Sequence, residues 1–392
     1  MLREITELYD GKKPADVLKE LIGKLNSNKN ITVMNEAKLV KVEGYLGNFK
    51  GVVVSKGQEN TIDFGAAVVA TGARNFEPAG LFNYGKDSRV VTQAQLEKMF
   101  GSGVNASTIT MIQCAGSRNK EREYCGRTCC IDAVKNAIRI KKSNMSANVY
   151  VLYRDMRTYG VMEKLYESAR ELGVIFIKYD AENPPLVQGS SVMVHDSMLN
   201  ENIELTSDLV VLSTPLVAGE NDQLFKIPLD KNKFFLEAHP KLRPVDFATD
   251  GVFLCGSAQA PKLIDEAISQ ASAAASRACT ILSRKFIETE GAVSVVNEAK
   301  CIGCGTCVTM CPYNAPMLVD ATVKAEEVTY TTKKSRINPA ACKGCGSCAA
   351  ACPAGAITAQ HFSSKEIGEA IDAFDKGVKS ISIDKGVVEV TV

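Results

Sequence analysis

Two cysteine runs in the last quarter of the chain constrain its fold more than any other feature. Residues 301–312 and 342–353 both read C-x2-C-x2-C-x3-C-P, which is the ligand pattern of a bacterial ferredoxin with two [4Fe-4S] clusters. In that pattern each cluster takes three thiolates from one run and the fourth from the other. A pair of zinc sites is the alternative, but zinc knuckles do not need this repeated spacing. The two predicted ligand sets are Cys301, Cys304, Cys307 and Cys352, and Cys342, Cys345, Cys348 and Cys311.

Four further cysteines lie close together but with irregular spacing. A strand-like segment (107–113) precedes them and a helical pattern (132–141) follows, so they occupy a strand-to-helix turn. The start of a helix favours anionic thiolates. We interpret the group as a third iron–sulfur site, with a redox-active Cys129–Cys130 dithiol or a structural zinc as alternatives. Its members are Cys114, Cys125, Cys129 and Cys130.

The two remaining cysteines, Cys255 and Cys279, lie in a strand-like run and on a helix rich in alanine and serine. Because unligated cysteine behaves as a small apolar side chain, both are expected to be buried.

Residues 107–215 alternate strand-like and helix-like segments, which is the βαβ pattern of a parallel doubly wound sheet. A nicotinamide-binding domain would carry G-x-G-x-x-G at the first turn of such a unit. Here that turn holds the four cysteines, so direct binding of NAD(P)H is not expected.

Two other segments favour a flavin site. An apolar strand (66–70) runs into Thr71 and Gly72, and residues 250–282 give a strand, a glycine turn and a long helix rich in small residues. The N–H groups at the start of this helix, around residues 262–265, would face the edge of a flavin ring where negative charge develops. An ordinary packed helix after a core strand is the alternative.

Composition narrows the class of protein. Lys and Arg number 46 against 45 Asp and Glu, a net charge of +1, which gives no general attraction to nucleic acid. No run of about 18 apolar residues offers a membrane span. The opening segment has acids where a secretory signal has a cationic end, so a cytoplasmic protein is expected.

Taken together, the segments IQCAGSRNKEREYCGRTCC (112–130) and GVFLCGSAQAPKLIDEAISQASAAA (251–275) and the two cysteine runs resemble HdrA, the iron–sulfur flavoprotein of heterodisulfide reductase. The resemblance implies an α/β chain with a thioredoxin-reductase-like, two-dinucleotide-domain flavoprotein core, incomplete at its N-terminus, and a C-terminal ferredoxin-like domain with two [4Fe-4S] clusters. The implied domains are a partial FAD-binding domain and linker (1–105), a Rossmann-like domain with the cysteine motif (106–215), the C-terminal part of the FAD-binding domain (216–285) and the ferredoxin domain with its tail (286–392).

The same resemblance implies the cofactors FAD and three [4Fe-4S] clusters, the third held by the irregular cysteine group. Glu97 and Lys135 match an acid and a lysine near the flavin of the family, and solvated surface charges are the alternative for both. The implied flavin contacts are Thr71, Gly72, Gly256, Ser257, Pro261, Lys262, Leu263, Ile264 and Gln270.

The activity that the resemblance implies is flavin-based electron bifurcation in methanogenesis. Electrons would come from a hydrogenase or formate dehydrogenase partner and pass to ferredoxin and, through heterodisulfide reductase subunits B and C, to the CoM-S-S-CoB heterodisulfide. The alternatives are a non-catalytic iron–sulfur conduit, or an HdrA-like module of a quinone-interacting or acyl-CoA reductase complex. The chain departs from the family in lacking its N-terminal G-x-G-x-x-G unit. A separate chain that supplies the N-terminal half of the flavin subunit is the favoured explanation, and the alternatives are that the sequence is a fragment or that the chain serves only as a cluster conduit.

Overall fold

The computed structural model describes residues 12–219, 224–286, 291–325, 328–375, 380–384 and 387–391. Short 3-10 turns lie at Leu81–Asn83, Gly160–Met162 and Gly256–Ala258. The α-helices in these ranges are α1 (Pro14–Ser27), α2 (Gln93–Met99), α3 (Cys129–Ser143), α4 (Glu163–Glu171), α5 (Ile264–Leu282), α6 (Thr306–Met310), α7 (Ser347–Ala350) and α8 (Ser364–Asp375).

The strands fall into an N-terminal group and a C-terminal group. The first group is β1 (Ala37–Tyr45), β2 (Asn48–Ser55), β3 (Gln58–Phe64), β4 (Ala67–Val69), β5 (Ala73–Asn75), β6 (Val90–Thr92), β7 (Thr108–Ile112), β8 (Asn148–Tyr153), β9 (Ile175–Lys178), β10 (Leu186–Gln188), β11 (Ser191–Asp196), β12 (Glu201–Thr206), β13 (Leu209–Leu212), β14 (Leu216–Ala218) and β15 (Val252–Leu254). The second group is β16 (Ser294–Val296), β17 (Pro316–Ala325), β18 (Val328–Ile337), β19 (Ile357–Ala359), β20 (Ser380–Asp384) and β21 (Val387–Thr391).

A five-stranded parallel sheet, in the order β6-β13-β7-β8-β9, forms the centre of the Rossmann-like part. Helices α3 and α4 connect its consecutive strands β7, β8 and β9, as the βαβ pattern predicts. Alternate residues of each strand face opposite sides of the sheet. Ile109 and Met111 pack with Val134 and Ala137 of α3, whereas Ile112 packs with Val192 of the antiparallel sheet β10-β11-β12.

A second packed unit surrounds the predicted flavin segments. Strand β15 pairs in parallel with β4, and Phe49, Phe247 and Leu254 lie in one buried cluster beside the antiparallel sheet β1-β2-β3. The carboxyl ends of parallel strands meet at one edge of a sheet. Consequently the segment after β4, with Thr71 and Gly72, and the turn after β15 leave the sheet on the same side.

The C-terminal part contains both cysteine runs and is held against the unit of β4 and β15 by polar contacts. The Thr249 hydroxyl donates to the Pro312 carbonyl at 3.1 Å, and Lys226 Nζ donates to the Val308 carbonyl at 3.1 Å. Lys343 pairs with Asp250. The run that contains Pro312 and the run that contains Lys343 are therefore both anchored beside residues 249–250.

None of the helices in the described part of the chain combines the length and apolar character that a bilayer span needs.

Replacing Leu212 by Ala tests the central sheet. Leu212 is fully buried in β13, so Leu212→Ala should lower the free energy of unfolding by about 2–5 kcal/mol through lost burial and the cavity left behind. Leu199→Ala, at an exposed turn, is the matched control. Denaturant unfolding of both variants measures the difference, and equal midpoints would contradict this view of the core.

Candidate iron–sulfur and flavin sites

Two cavities in the C-terminal part are each lined by thiols from both cysteine runs. One cavity is lined by Cys301, Cys304 and Cys307 together with Cys352 of the second run. The other is lined by Cys342, Cys345 and Cys348 together with Cys311 of the first run. The fourth cysteine of each run thus lies with the first three of the other, which is the arrangement that a two-cluster ferredoxin requires.

Glycines allow the backbone to close around these cavities. Gly303 has φ +70°, and a Cβ there would lie 2.2 Å from the Lys333 carbonyl oxygen. Gly344, at the equivalent place in the second run, has φ +59°, and its Cβ would lie 2.2 Å from the Ala292 carbonyl oxygen. No side chain fits at either position, so both runs can curl only with glycine here.

The thiols differ in their access to solvent. Most of the eight are buried, but the second cysteine of each run, Cys304 and Cys345, is exposed, and Cys352 is half-buried. Each cavity is therefore open to solvent on the side of one thiol.

The four irregularly spaced cysteines gather at the carboxyl edge of the five-stranded parallel sheet. Cys114 follows β7, the thiol of Cys129 donates to the Thr214 carbonyl at 3.4 Å, and the thiol of Cys130 donates to the Asp155 carbonyl at 3.7 Å. Those carbonyls follow β13 and β8, the two neighbours of β7. Open parallel sheets bind ligands at such an edge, where the connections diverge.

The backbone of this cysteine turn is tightly constrained. Cys114 and Arg127 both have positive φ, at 60° and 59°. Gly126 has no room for a side chain, since a Cβ would lie 2.4 Å from the Cys129 sulfur and 2.9 Å from the Cα of Pro215.

Burial and mutual repulsion make charged thiols costly in this turn. Burial raises the pKa of Cys129 well above its usual range, and Asp132 and the other three cysteines raise it further. Burial, opposed in part by a backbone hydrogen bond from Arg157, raises the pKa of Cys130 to about 11. A bound cationic metal group would offset this cost, so the donor set fits one. Within the described ranges, no three His, Cys, Asp or Glu side chains converge on a position for a single ion.

The two cysteines outside these groups differ from each other. Cys255 is buried, as predicted, but Cys279 is exposed, so the prediction for Cys279 was wrong. Cys279 lies on a face of α5 that is covered by little of the described chain, whereas its neighbour Ala278 is buried.

The turn between β15 and α5 contains five of the nine predicted flavin contacts, and Ile264 and Gln270 on α5 bring the number in this region to seven. The Gly256 N–H donates to Gln270 Oε1 at 2.7 Å, which fixes the turn against the helix. The helix begins at Ile264, and the Leu263 N–H donates to the carboxylate of Glu266 at 2.9 Å. Glu266 therefore satisfies one of the free N–H groups that the sequence led us to expect at this helix start.

Arg127 connects the cysteine turn to this predicted flavin turn. The sequence did not predict this connection. Its guanidinium donates to Glu266 at 2.5 Å, to the Pro261 carbonyl at 3.4 Å and to the Tyr159 hydroxyl at 3.0 Å. Its backbone N–H donates to the Cys125 sulfur at 3.4 Å. No local spacing could reveal these contacts, because Arg127 and Glu266 are 139 positions apart.

Glu97 and Lys135 form a buried ion pair between α2 and α3. The Lys135 Nζ to Glu97 Oε1 distance is 2.5 Å, and the side chains are 11% and 5% exposed; Arg139 lies 3.7 Å from the second carboxylate oxygen. The alternative of two solvated surface charges is therefore wrong. Lys135 lies on α3, the helix that begins with Cys129 and Cys130.

Comparison with known proteins agrees with the cysteine runs and with the resemblance. Residues 300–356 match the family model described as a 4Fe-4S dicluster domain. The chain is 36% identical over 284 residues to one of the CoB–CoM heterodisulfide reductase iron–sulfur A subunits of Methanopyrus kandleri, and the match covers 66% of this chain and 43% of that protein.

Two further relatives have similar names. The chain is 35% identical over 285 residues to the A subunit of the H(2):CoB-CoM heterodisulfide,ferredoxin reductase of Methanothermobacter thermautotrophicus, covering 66% of this chain and 43% of that protein. It is 35% identical over 287 residues to the A subunit of the ferredoxin/F(420)H(2)-dependent CoB-CoM heterodisulfide reductase of Methanosarcina acetivorans, covering 66% and 36%. The resemblance to HdrA is confirmed, and the chain spans less than half the length of these curated relatives.

Among solved structures, the chain is similar to the thioredoxin reductase of T. acidophilum, with a TM-score of 0.49 and 11% identity, covering 72% of this chain and 87% of that one. This degree of similarity supports no conclusion about activity.

Replacing Glu97 tests the buried ion pair. Glu97→Gln leaves Lys135 as a buried charge without its carboxylate, and such a loss costs about 3–5 kcal/mol of unfolding free energy. Glu97→Gln combined with Lys135→Met should recover most of that loss. Denaturant unfolding measures both variants.

The control for this comparison is Glu20→Gln, because Glu20 pairs with Lys24 at the surface, where both side chains are more than two-thirds exposed. An effect of Glu97→Gln as small as that of Glu20→Gln would show that the Glu97–Lys135 pair is not buried as described.

Proposed function

We propose that this chain is an electron-transfer subunit of an oxidoreductase of the heterodisulfide reductase type. The observation that carries the proposal is the pair of cavities, each lined by three thiols of one run and one of the other. An arrangement of this kind serves two [4Fe-4S] clusters, which pass electrons one at a time. The match of residues 300–356 to a dicluster model supports the same assignment.

The residues of this chain would hold each group as follows. The thiolates of Cys301, Cys304, Cys307 and Cys352 bind one cluster, and those of Cys342, Cys345, Cys348 and Cys311 bind the other. The thiolates of Cys114, Cys125, Cys129 and Cys130 bind a third cluster in the Rossmann-like part. The division into domains at residues 105, 215 and 285 belongs to the same proposal.

FAD is the proposed fourth redox group, and it accepts electrons in pairs and releases them singly. Its site would be the edge that Thr71 and Gly72 share with the turn containing Gly256, Ser257 and Pro261. Lys262, Leu263, Ile264 and Gln270 complete the proposed contacts. Burial, and then the nearby Arg127, lower the pKa of Lys262. In its protonated form Lys262 would favour an anionic ligand at this turn.

Glu97 and Lys135 are the proposed charged pair near the flavin. Glu97 fixes the position of the Lys135 ammonium, and Arg139 adds a second positive charge beside the same carboxylate. Asp132 on the same helix lies close enough to interact with Glu97 and Lys135, so the group contains two acids and two bases. In this proposal the Lys135 ammonium is the charge that favours electrons entering the neighbouring cluster or flavin.

Electrons would travel along a route that the contacts support. The cavity with Cys311 and Cys342 lies beside residues 249–250, because Pro312 and Lys343 contact Thr249 and Asp250. The turn at Gly256 follows only six positions after Asp250, a path of at most about 20 Å in extended chain. Arg127 then joins this turn to the cysteine turn of the Rossmann-like part.

The complete activity that we propose is bifurcation of electron pairs from a hydrogenase or formate dehydrogenase partner. One electron of each pair would go to ferredoxin and the other, through subunits B and C, to the CoM-S-S-CoB heterodisulfide. The names of the relatives, which include heterodisulfide, ferredoxin and F(420)H(2), support this class of reaction. A conduit without flavin is the second candidate, favoured by the exposed thiols Cys304 and Cys345, which give both cavities access to partners.

Single cysteine replacements test the two ligand sets. Cys352→Ser and Cys311→Ser should each remove one cluster, or about four iron atoms per chain, because each removes one ligand from a different cavity. Cys279→Ser, which changes an exposed cysteine outside every set, should leave the iron content unchanged. Anaerobic iron and sulfide analysis measures the loss, and full iron content in both Cys352→Ser and Cys311→Ser would contradict the assignment.

Lys262 tests the flavin site. Lys262→Met removes the cation from the proposed turn and should lower the FAD content of the purified assembly, whereas Lys262→Arg, which keeps the charge, should lower it less. Lys285→Met, at an exposed position after α5, is the control. Released flavin is measured by absorbance, and an unchanged FAD content in Lys262→Met would remove Lys262 from the site.

A further inference from the structure

Two buried serines occupy equivalent places in the two halves of the C-terminal part. Ser294 lies seven positions before Cys301, and Ser335 lies seven positions before Cys342. Ser294 starts β16 and Ser335 lies near the end of β18, and they are 3% and 2% exposed. Ser335, which precedes the second run, lines the cavity that contains Cys301 of the first run. Ser294, which precedes the first run, lines the cavity that contains Cys342 of the second run.

Ser335 contacts two thiols of the first set. Its backbone N–H donates to the Cys301 sulfur at 3.3 Å, and its hydroxyl oxygen lies 3.2 Å from the Cys307 sulfur. Both distances lie within the range of hydrogen bonds that involve sulfur. Ser335 therefore contacts the first and third cysteines of the run.

Ser294 repeats the arrangement in the second set. Its backbone N–H donates to the Cys342 sulfur at 3.4 Å, and it lines the same cavity as the Cys348 thiol. These are again the first and third cysteines of a run. The Ser294 hydroxyl is buried and makes no hydrogen bond within the described structure, so its proton is available to a thiolate in that cavity.

The backbone beside each serine is also arranged in the same way in the two halves. The carbonyl that closes on Gly303 belongs to Lys333, two positions before Ser335, and the carbonyl that closes on Gly344 belongs to Ala292, two positions before Ser294. The close approach of the glycine to that carbonyl therefore holds each serine at its cavity.

A hydroxyl changes role when the cysteine beside it becomes a metal ligand. A free thiol can donate to the serine oxygen, but a thiolate has no proton, so the serine must then donate to the sulfur. A hydrogen bond to a ligand sulfur is stronger when the cluster carries more negative charge, and it raises the reduction potential.

We propose that Ser294 and Ser335 set the reduction potentials of the two clusters independently, each through the hydroxyl that it donates to the third cysteine of one ligand set. The inference rests on the proposed assignment of [4Fe-4S] clusters to the two cavities. It assigns Ser335 to the cluster of Cys301, Cys304, Cys307 and Cys352, and Ser294 to the other. Both serines act through a cysteine and are therefore positioning residues.

The test is a potentiometric titration of the full chain, followed by electron paramagnetic resonance, with iron and sulfide analysis on every sample. Ser335→Ala should lower the potential of one cluster by an amount equivalent to about a tenfold change in its reduction equilibrium, or about 59 mV for one electron. Ser294→Ala should lower the potential of the other cluster and leave the first unchanged. Thr331→Ala, which removes an exposed hydroxyl from the same strand as Ser335, should change neither.

The iron analysis separates failure of this inference from failure of the proposed function. A wild-type chain without two four-iron clusters in this part would overturn the proposed function itself. Full iron content with unchanged potentials in both alanine variants would overturn only the role of the serines, as would a shift of the same cluster by both variants.

If Ser335→Ala fails to take up its cluster, a second pair of variants, Ser335→Thr and Ser335→Val, tests the same inference. Thr and Val have nearly the same shape but differ in the hydroxyl, so Ser335→Thr should keep a higher potential than Ser335→Val. Equal potentials in that pair would contradict the inference. If Ser335→Thr also loses the cluster, Ser335 is needed only for packing, and this result would overturn the inference too.

Discussion

The structure depends most on how it buries cysteine sulfur. A buried thiolate is costly unless a cation neutralises it, and a metal group supplies that charge at several sulfurs together. Because the fourth cysteine of each run lies in the cavity of the other, neither run can complete a site alone. The pairing of β16 with β19 and of β17 with β18 brings the two runs together, and Gly303 and Gly344 then allow the backbone to close.

The same requirement explains the cysteine turn of the Rossmann-like part. A dinucleotide-binding turn presents glycines and backbone N–H groups to a phosphate. This turn presents four thiols at the same edge of the sheet. Gly126 allows it to pack closely against Cys129 and Pro215, and the contacts of Arg127 hold it to the turn before α5. Under the proposed function, a common scaffold would serve a different ligand class through a change of residues at one loop, while the parallel sheet beneath it keeps an ordinary apolar core.

Much of this arrangement follows from local pattern in the sequence. The spacing of the two runs predicts which cysteines share a cavity, and the alternation of strand-like and helix-like segments from 107 to 215 predicts the strands β7, β8, β9 and β13. The three-residue strand β6 has too little pattern to be recognised, and the ten-residue strands β17 and β18 were not predicted, although they contain residues such as Val, Thr and Tyr that favour strands. Contacts between distant segments leave no local signal. The bridge from Arg127 to Glu266 and the burial of Glu97 with Lys135 could be found only from the fold.

The most direct test of the central claim is anaerobic purification of the chain from its native source, with flavin, iron and sulfide measured per chain and every co-purifying polypeptide identified. Our account predicts FAD together with about twelve iron atoms per chain, from three four-iron clusters, in an assembly with reductase partners. The same iron content without flavin in any native assembly would contradict the bifurcation proposal and leave an electron conduit.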